Sequence, residues 1–162
     1  MDEEVYIRPL TVEDASTSYK WRNDAEVWRY TGSKPDRIVT EEMEREWAQK
    51  VISDPARINY AICLRPSDKY IGNIYLVDVK DGCGELGCFI GDRNQWGKGY
   101  AQKALHLMKK LAYSEFGVKE ISIRVNKDNV PALETYLKSG AKIQIEGCWI
   151  HLLLANEPSE LK

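Results

Sequence analysis

Residues 93–101 read Arg-Asn-Gln-Trp-Gly-Lys-Gly-Tyr-Ala, with Gly97 and Gly99 on either side of Lys98. The segment lies between a strand-like stretch, Glu85 to Ile90, and a long stretch of helical periodicity. A helix N-terminus leaves several backbone N–H groups unpaired and carries a partial positive charge. Glycine at this place removes the side chains that would hold a phosphate away from those donors, and Lys98 adds a cation at the rim. A Gly-x-Gly pair alone reads more simply as a plain turn into a helix. Two familiar phosphate loops do not fit. A Walker loop needs Ser or Thr directly after Gly-Lys, where this chain has Gly99. A Rossmann loop needs a third glycine and lies in the first strand–helix unit, whereas this segment falls past mid-chain.

Other side chains could move protons. Tyr136 lies on a short helical stretch. A phenol of pKa near 10 is protonated at neutral pH and can donate to a leaving group. On residue type and spacing alone it reads more readily as a core tyrosine. Glu85 opens a strand and shares a face with Gly87 and Phe89, so it is either a base or an exposed strand-end carboxylate. His106 and His151 read as surface or structural residues. Cys63, Cys83, Cys88 and Cys148 lack the spacing of a zinc site, and a chain of 162 residues does not need a disulfide framework.

These residues need elements to position them. Val5 to Arg8 alternates as a strand. Thr11 caps a helix to about Arg22, a second short helical stretch covers Ala25 to Tyr30, and a loop covers Gly32 to Asp36. Thr40 caps a third helix ending near Ser53, before Pro55. Its Glu41, Glu42, Glu44 and Glu46 read as a solvated face. Asn59 to Leu64 and Tyr70 to Val79 form a hairpin about Pro66-Ser67-Asp68. After Glu85 to Ile90 and its loop comes a long helix to Phe116, whose Ala101, Ala104, Leu105, Met108, Leu111 and Ala112 make a core-facing stripe. A strand covers Glu120 to Val125, and Asn129 caps a helix closed by Gly140. Strands at about Ala141 to Gln144 and Cys148 to Ala155 complete a mixed sheet.

Composition excludes several functions. The net charge is −2, with 43% apolar and 30% charged residues, so no basic field draws nucleic acid or a membrane surface. No run approaches the roughly 18 apolar residues of a membrane span, and the acidic N-terminus does not read as a signal peptide. The expectation is one domain over residues 1–162 of a cytoplasmic protein.

Trp96 to Ala101, with the element order β-α-α-β-β-β-α-β-α-β-β, resembles the acetyl-CoA loop and fold of the GNAT N-acetyltransferases. The similarity is to the branch containing ribosomal-protein N-terminal, spermidine and nucleotide-amino-sugar acetyltransferases. It extends from Ile7-Arg8-Pro9-Leu10 to the last strand. A second segment, Asn126 to Gly140, resembles the family's N-x-x-N/S-x-x-A-x-x-x-Y-x-x-x-G-F. Asn94 departs from the usual Arg or Gln, and Ala141 from the usual Phe. The resemblance implies a single α/β domain with about seven strands, about four helices and a V-shaped splay between the fourth and fifth strands. It implies acetyl-CoA held by Gln95, Trp96, Gly97, Lys98, Gly99, Tyr100, Ala101, Asn126 and Asn129, with backbone donors at Phe89 and Ile90 on the thioester arm. It makes Tyr136 the general acid and Glu85 the base.

The acceptor amine is expected against the N-terminal helices, where Trp21, Arg22, Asn23, Trp28, Tyr30 and Trp47 form an aromatic and polar region. At least half of these tryptophans are expected to serve packing. Trp21-Arg22-Asn23-Asp24 resembles a segment of nucleotide-amino-sugar acetyltransferases. The alternatives are a polyamine, a protein N-terminus, or a non-catalytic acetyl-CoA-binding module. A homodimer is compatible with the resemblance.

Overall fold

The computed structural model describes residues 4–29 and 37–155. Strands β1 (Glu4–Pro9), β2 (Ile58–Arg65), β3 (Tyr70–Lys80), β4 (Cys83–Ile90), β5 (Glu120–Asn126), β6 (Lys142–Ile145) and β7 (Trp149–Ala155) form one sheet in the order β1-β2-β3-β4-β5-β7-β6. Helices α1 (Ala15–Arg22), α2 (Glu41–Ile52), α3 (Tyr100–Glu115) and α4 (Val130–Lys138) flank it.

The strand boundaries lie within about two residues of those the alternation predicts, the usual latitude at element ends. One expected element is absent. Ala25 to Arg29 is a succession of turns and not a helix, with Val27 N–H bonded to Asp24 and Arg29 N–H to Glu26. The Asp24 carboxylate accepts from Glu26 N–H. Such a local side-chain bond competes with helix. Tyr30 and the expected loop at Gly32 to Asp36 lie outside the described residues.

Two apolar layers sandwich the sheet. On one face Ile74, Leu76 and Leu86 meet Ala104, Leu105, Met108 and Ala112 of α3, and Tyr136 of α4 joins this cluster. On the other, Trp21 of α1 and Val51 of α2 pack on Ala61, Cys63 and Tyr70. Beneath α1 and α2, Ser18 Oγ donates to Glu44 Oε2 at 2.8 Å and Arg22 Nε reaches both Glu44 oxygens at 3.1 and 3.2 Å. Glu44 is therefore buried, at 2% exposure, which corrects its reading as part of a solvated face. A carboxylate so deep requires such partners.

The central strand pair carries the feature that makes a site. β4 and β5 are the sheet's parallel neighbours, and their pairing runs from Cys83↔Glu120 to Leu86↔Ile123 and stops. β4 continues against β3 as far as Gly72↔Ile90, and β5 against β7 as far as Asn126↔Trp149. Residues 87–90 and 124–126 thus diverge into a wedge within the sheet, the expected splay between the fourth and fifth strands.

Candidate active site

The wedge exposes strand edges that no neighbouring strand covers. An extended ligand can pair with such an edge as an added strand would. Phe89 and Ile90 lie on this part of β4. The Ile90 carbonyl is already engaged, because Trp96 Nε1 donates to it at 2.7 Å. The indole of Trp96 thereby ties the Gly-Lys-Gly loop to the end of β4.

Gly97 and Gly99 both have φ of +78°, and a Cβ at either would meet no atom within 4 Å. Glycine is required here by backbone conformation, and the space over the loop is open. Gly99 is the N-cap of α3 and supplies no side-chain cap, so the first-turn N–H groups keep their hydrogen-bonding capacity. The loop and wedge together make a continuous cradle for a phosphate-bearing, extended molecule. Lys98 Nζ lies 3.2 Å from Gln95 Oε1 at the rim. The Tyr100 side chain is buried in the core, so only its backbone can face the cradle. Ala101 follows in the first turn of the helix.

The loop continues into a cavity of about 770 Å³ whose lining includes Gly99, Gln102, Lys103, His106, Lys138 and Ser139. No motif in the sequence points to this groove. Gln102, Lys103 and His106 are ordinary exposed residues of α3, and Lys138 and Ser139 come from the end of α4. His106 belongs to this outer wall. His151 lies on β7 opposite Arg124.

Asn126 Oδ1 accepts from Asp128 N–H at 2.9 Å, and Asn129 Oδ1 accepts from Ala132 N–H at 3.4 Å. Both oxygens serve the turn into α4, leaving the amide Nδ2 groups for a ligand.

Tyr136 is 8% exposed and its hydroxyl has no protein hydrogen-bond partner among the described residues. Burial raises its pKa above the ordinary phenol value, and the adjacent Cys88 and Tyr75 push the same way. Burial likewise pushes the Cys88 thiol up to about 12. Tyr136 belongs to the buried cluster on the α3 face of the sheet, against which Cys88 of β4 packs. Tyr75 lies opposite Gly87, and a Cβ on Gly87 would stand well under 3.0 Å from the Tyr75 ring.

Glu85 lies on the face shared by Gly87 and Phe89, where β4 is about to part from β5. Its Oε1 accepts from Arg124 Nε at 2.7 Å. The expected base is thus an ion-paired carboxylate at the wedge base.

Of the expected acceptor residues, Trp21 and Trp28 are buried. Trp21 packs on Gly91 and on Tyr70, with ring centroids 4.7 Å apart. Trp28 Nε1 donates to the Trp21 carbonyl at 2.8 Å, and its ring lies 5.3 Å from Phe89. The Arg22 guanidinium lies between Trp28 at 4.9 Å and Trp47 at 4.3 Å. Asn23 is engaged by the protein itself. Its Nδ2 donates to Tyr19 and Val39 carbonyls, and its Oδ1 accepts from Val39 N–H. It fastens α1 to the segment before α2 and has little left for a ligand.

The profile of the acetyltransferase (GNAT) domain family matches residues 4–142. A Bacillus licheniformis protein named as the uncharacterised N-acetyltransferase p20 is 26% identical over 148 residues, covering 90% of this chain and 82% of that protein. The spermidine N-acetyltransferase from Vibrio cholerae, solved with CoA and spermine, superposes with a TM-score of 0.82 at 17% identity, covering 93% of this chain and 95% of that one. A domain from Methanocaldococcus jannaschii gives a TM-score of 0.81 at 19% identity, covering 96% and 100% respectively. The two solved structures share the fold described above.

Proposed function

Because the chain belongs to the GNAT acetyltransferase family, we propose that it transfers the acetyl group of acetyl-CoA to the primary amine of a small molecule, with the pantetheine arm in the β4–β5 wedge and the pyrophosphate on the Gly97–Gly99 loop. The observation that carries this reading is the continuity of the two. The strand edges open at Gly87, and the loop that starts α3 follows directly from the end of the same strand.

Bound acetyl-CoA would supply the thioester carbonyl that the amine attacks and the thiolate that leaves. The residues of this chain do the rest. Backbone donors around Phe89 and Ile90 orient the carbonyl and stabilise charge on its oxygen, which preorganised N–H groups do at low reorganisation cost. Tyr136 holds a proton at its phenol oxygen for the departing sulfur. Burial keeps that oxygen protonated across the physiological range. Glu85 receives the proton lost by the amine through water and passes it to solvent. The proton count then closes: one leaves the amine, and one from Tyr136 is replaced from solvent.

The amine enters on the α1–α2 face, where Trp47, Phe89 and Tyr75 are partly exposed aromatic rings. Such rings fit a sugar or a base, in keeping with a nucleotide-linked amino sugar. Calorimetric titration with coenzyme A and the Gly97→Val variant tests the reading. Micromolar binding abolished in the variant supports it, and equal affinity in both would refute the cradle.

A further inference from the structure

Tyr75 lies against Gly87 at the opening of the wedge, with the charged groups of Arg22, Glu85 and Arg57 around it. Arg22 is neutralised by Glu44 at 3.1 Å. Glu85, which also acts on Tyr75, is neutralised by Arg124 at 2.7 Å. Arg57 is the cation left over. Its guanidinium stacks on the Tyr75 ring, 5.2 Å from the centroid. Its Nε lies 3.2 Å from Asn59 Oδ1, and no carboxylate comes within ion-pair distance of it among the described residues.

Arg57 is half-buried between α2 and β2. Burial drives its pKa down, Tyr75 and Asp54 oppose that, Arg22 adds to it, and Asp78 opposes it. Asp54 and Asp78 are both exposed, and neither is bonded to Arg57. Removing a cation from water without a partner is costly. Here the half-buried guanidinium has Asn59 and the Tyr75 ring as its partners, and Nη1 and Nη2 make no protein hydrogen bond among the described residues. That fork matches the two oxygens of a carboxylate or phosphate.

We propose that the acceptor is an amine that also carries an anionic group, a phosphate or a carboxylate, and that Arg57 binds this group over Tyr75 while the amine reaches the wedge at Gly87. The inference rests on the acetyltransferase reading of that wedge and adds the charge class of the substrate. A polyamine brings further positive charge to a guanidinium that has no direct ion pair among the described residues, and is disfavoured. Asn59 and Tyr75 are positioning residues for Arg57.

The test uses the full chain with saturating acetyl-CoA and thiol release as the readout. Matched acceptors differ by one anionic group: glucosamine 6-phosphate against glucosamine, 4-aminobutyrate against butylamine, with spermidine as the polycation. The phosphate and carboxylate pairs identify which anion is read. At least one anionic member is expected to exceed its neutral counterpart by about 10-fold in kcat/KM. Arg57→Gln should erase that ratio through KM, with the affinity for acetyl-CoA unchanged, and Arg57→Lys should keep part of it. Preference for spermidine or the neutral amines, or an unchanged ratio in a folded Arg57→Gln protein, would overturn the proposal.

A second readout does not need turnover. With coenzyme A saturating, inorganic phosphate or acetate should raise the Tm of the wild type and not that of Arg57→Gln. No shift with either anion would also overturn the proposal. An Arg57-dependent shift in a protein that fails to bind acetyl-CoA or acetylate any amine would leave the anion site standing and remove the acetyltransferase reading alone.

Discussion

The ring of Tyr75 lies directly over the backbone of Gly87, so closely that no side chain can be accommodated at residue 87 without displacing it. The contact occurs one residue past the last β4–β5 pair, Leu86↔Ile123. Tyr75 in turn carries the Arg57 guanidinium on its ring face, 5.2 Å from the centroid. The contact with Gly87 therefore marks the point at which the wedge opens.

Gly87→Ala should move Tyr75 off this position. Overpacking of this kind costs about 1–3 kcal/mol in stability. The account predicts a folded protein whose kcat/KM for the amine falls at least about 10-fold, because a displacement of an ångström at a positioning residue has that effect or more. Circular dichroism and steady-state kinetics on the same sample check it.

Gly97→Val places a β-branched residue at a φ of +78°. The strain is about 1–2 kcal/mol, and the new side chain fills the open cradle. Coenzyme A affinity should be lost while the melting temperature falls by only a few degrees. Calorimetry with differential scanning of the same protein separates the two effects.

Tyr136→Phe removes only the hydroxyl, in a site where the ring is part of the core. The kcat should fall by at least about 10-fold with little change in acetyl-CoA affinity. Because burial raises the phenol pKa, its proton is retained in the folded protein at all pH values below that raised value. The wild-type kcat should therefore show no descending limb from Tyr136 between pH 7 and about 10, the ordinary phenol value.

Asp14 links the end of β1 to the start of α1. Burial works to raise its pKa, but Arg8 at 2.8 Å from each carboxylate oxygen and Thr11 N–H at 2.9 Å outweigh it, and the folded value is lowered. A depressed folded pKa contributes stability that is fully present above the unfolded value. That stability is lost as pH falls through the folded value, in the region below about pH 4. Asp14→Asn should cost about 2 kcal/mol at pH 7 and make the acid limb shallower. Urea titrations from pH 7 to 3 measure both.

Much of this was legible in the sequence where one residue does one local job. Gly97 and Gly99 announce a loop that only glycine can make, Asn129 announces a cap, and the α3 stripe announces its buried face. The wedge itself was legible only through family resemblance, because β4 and β5 carry no mark of where their pairing ends. Long-range partnerships were not legible. Glu44 reads as one of four helix glutamates until Ser18 and Arg22 meet it. Asn23 reads as a polar group near a ligand until Val39 takes it up. Arg57 carried no signal at all, since its meaning lies in what does not pair with it.

The most direct test of the central claim is acetyl-CoA turnover, read as free thiol, by wild type and Tyr136→Phe across amino-sugar nucleotides, amino-sugar phosphates, amino acids, polyamines and peptides with free N-termini. The account predicts amine-dependent thiol release with one acceptor class and a matched acetylated product, reduced at least about 10-fold in the variant. Thiol release that does not depend on any amine, or equal turnover by both proteins with chemistry shown to be rate-limiting, would contradict it.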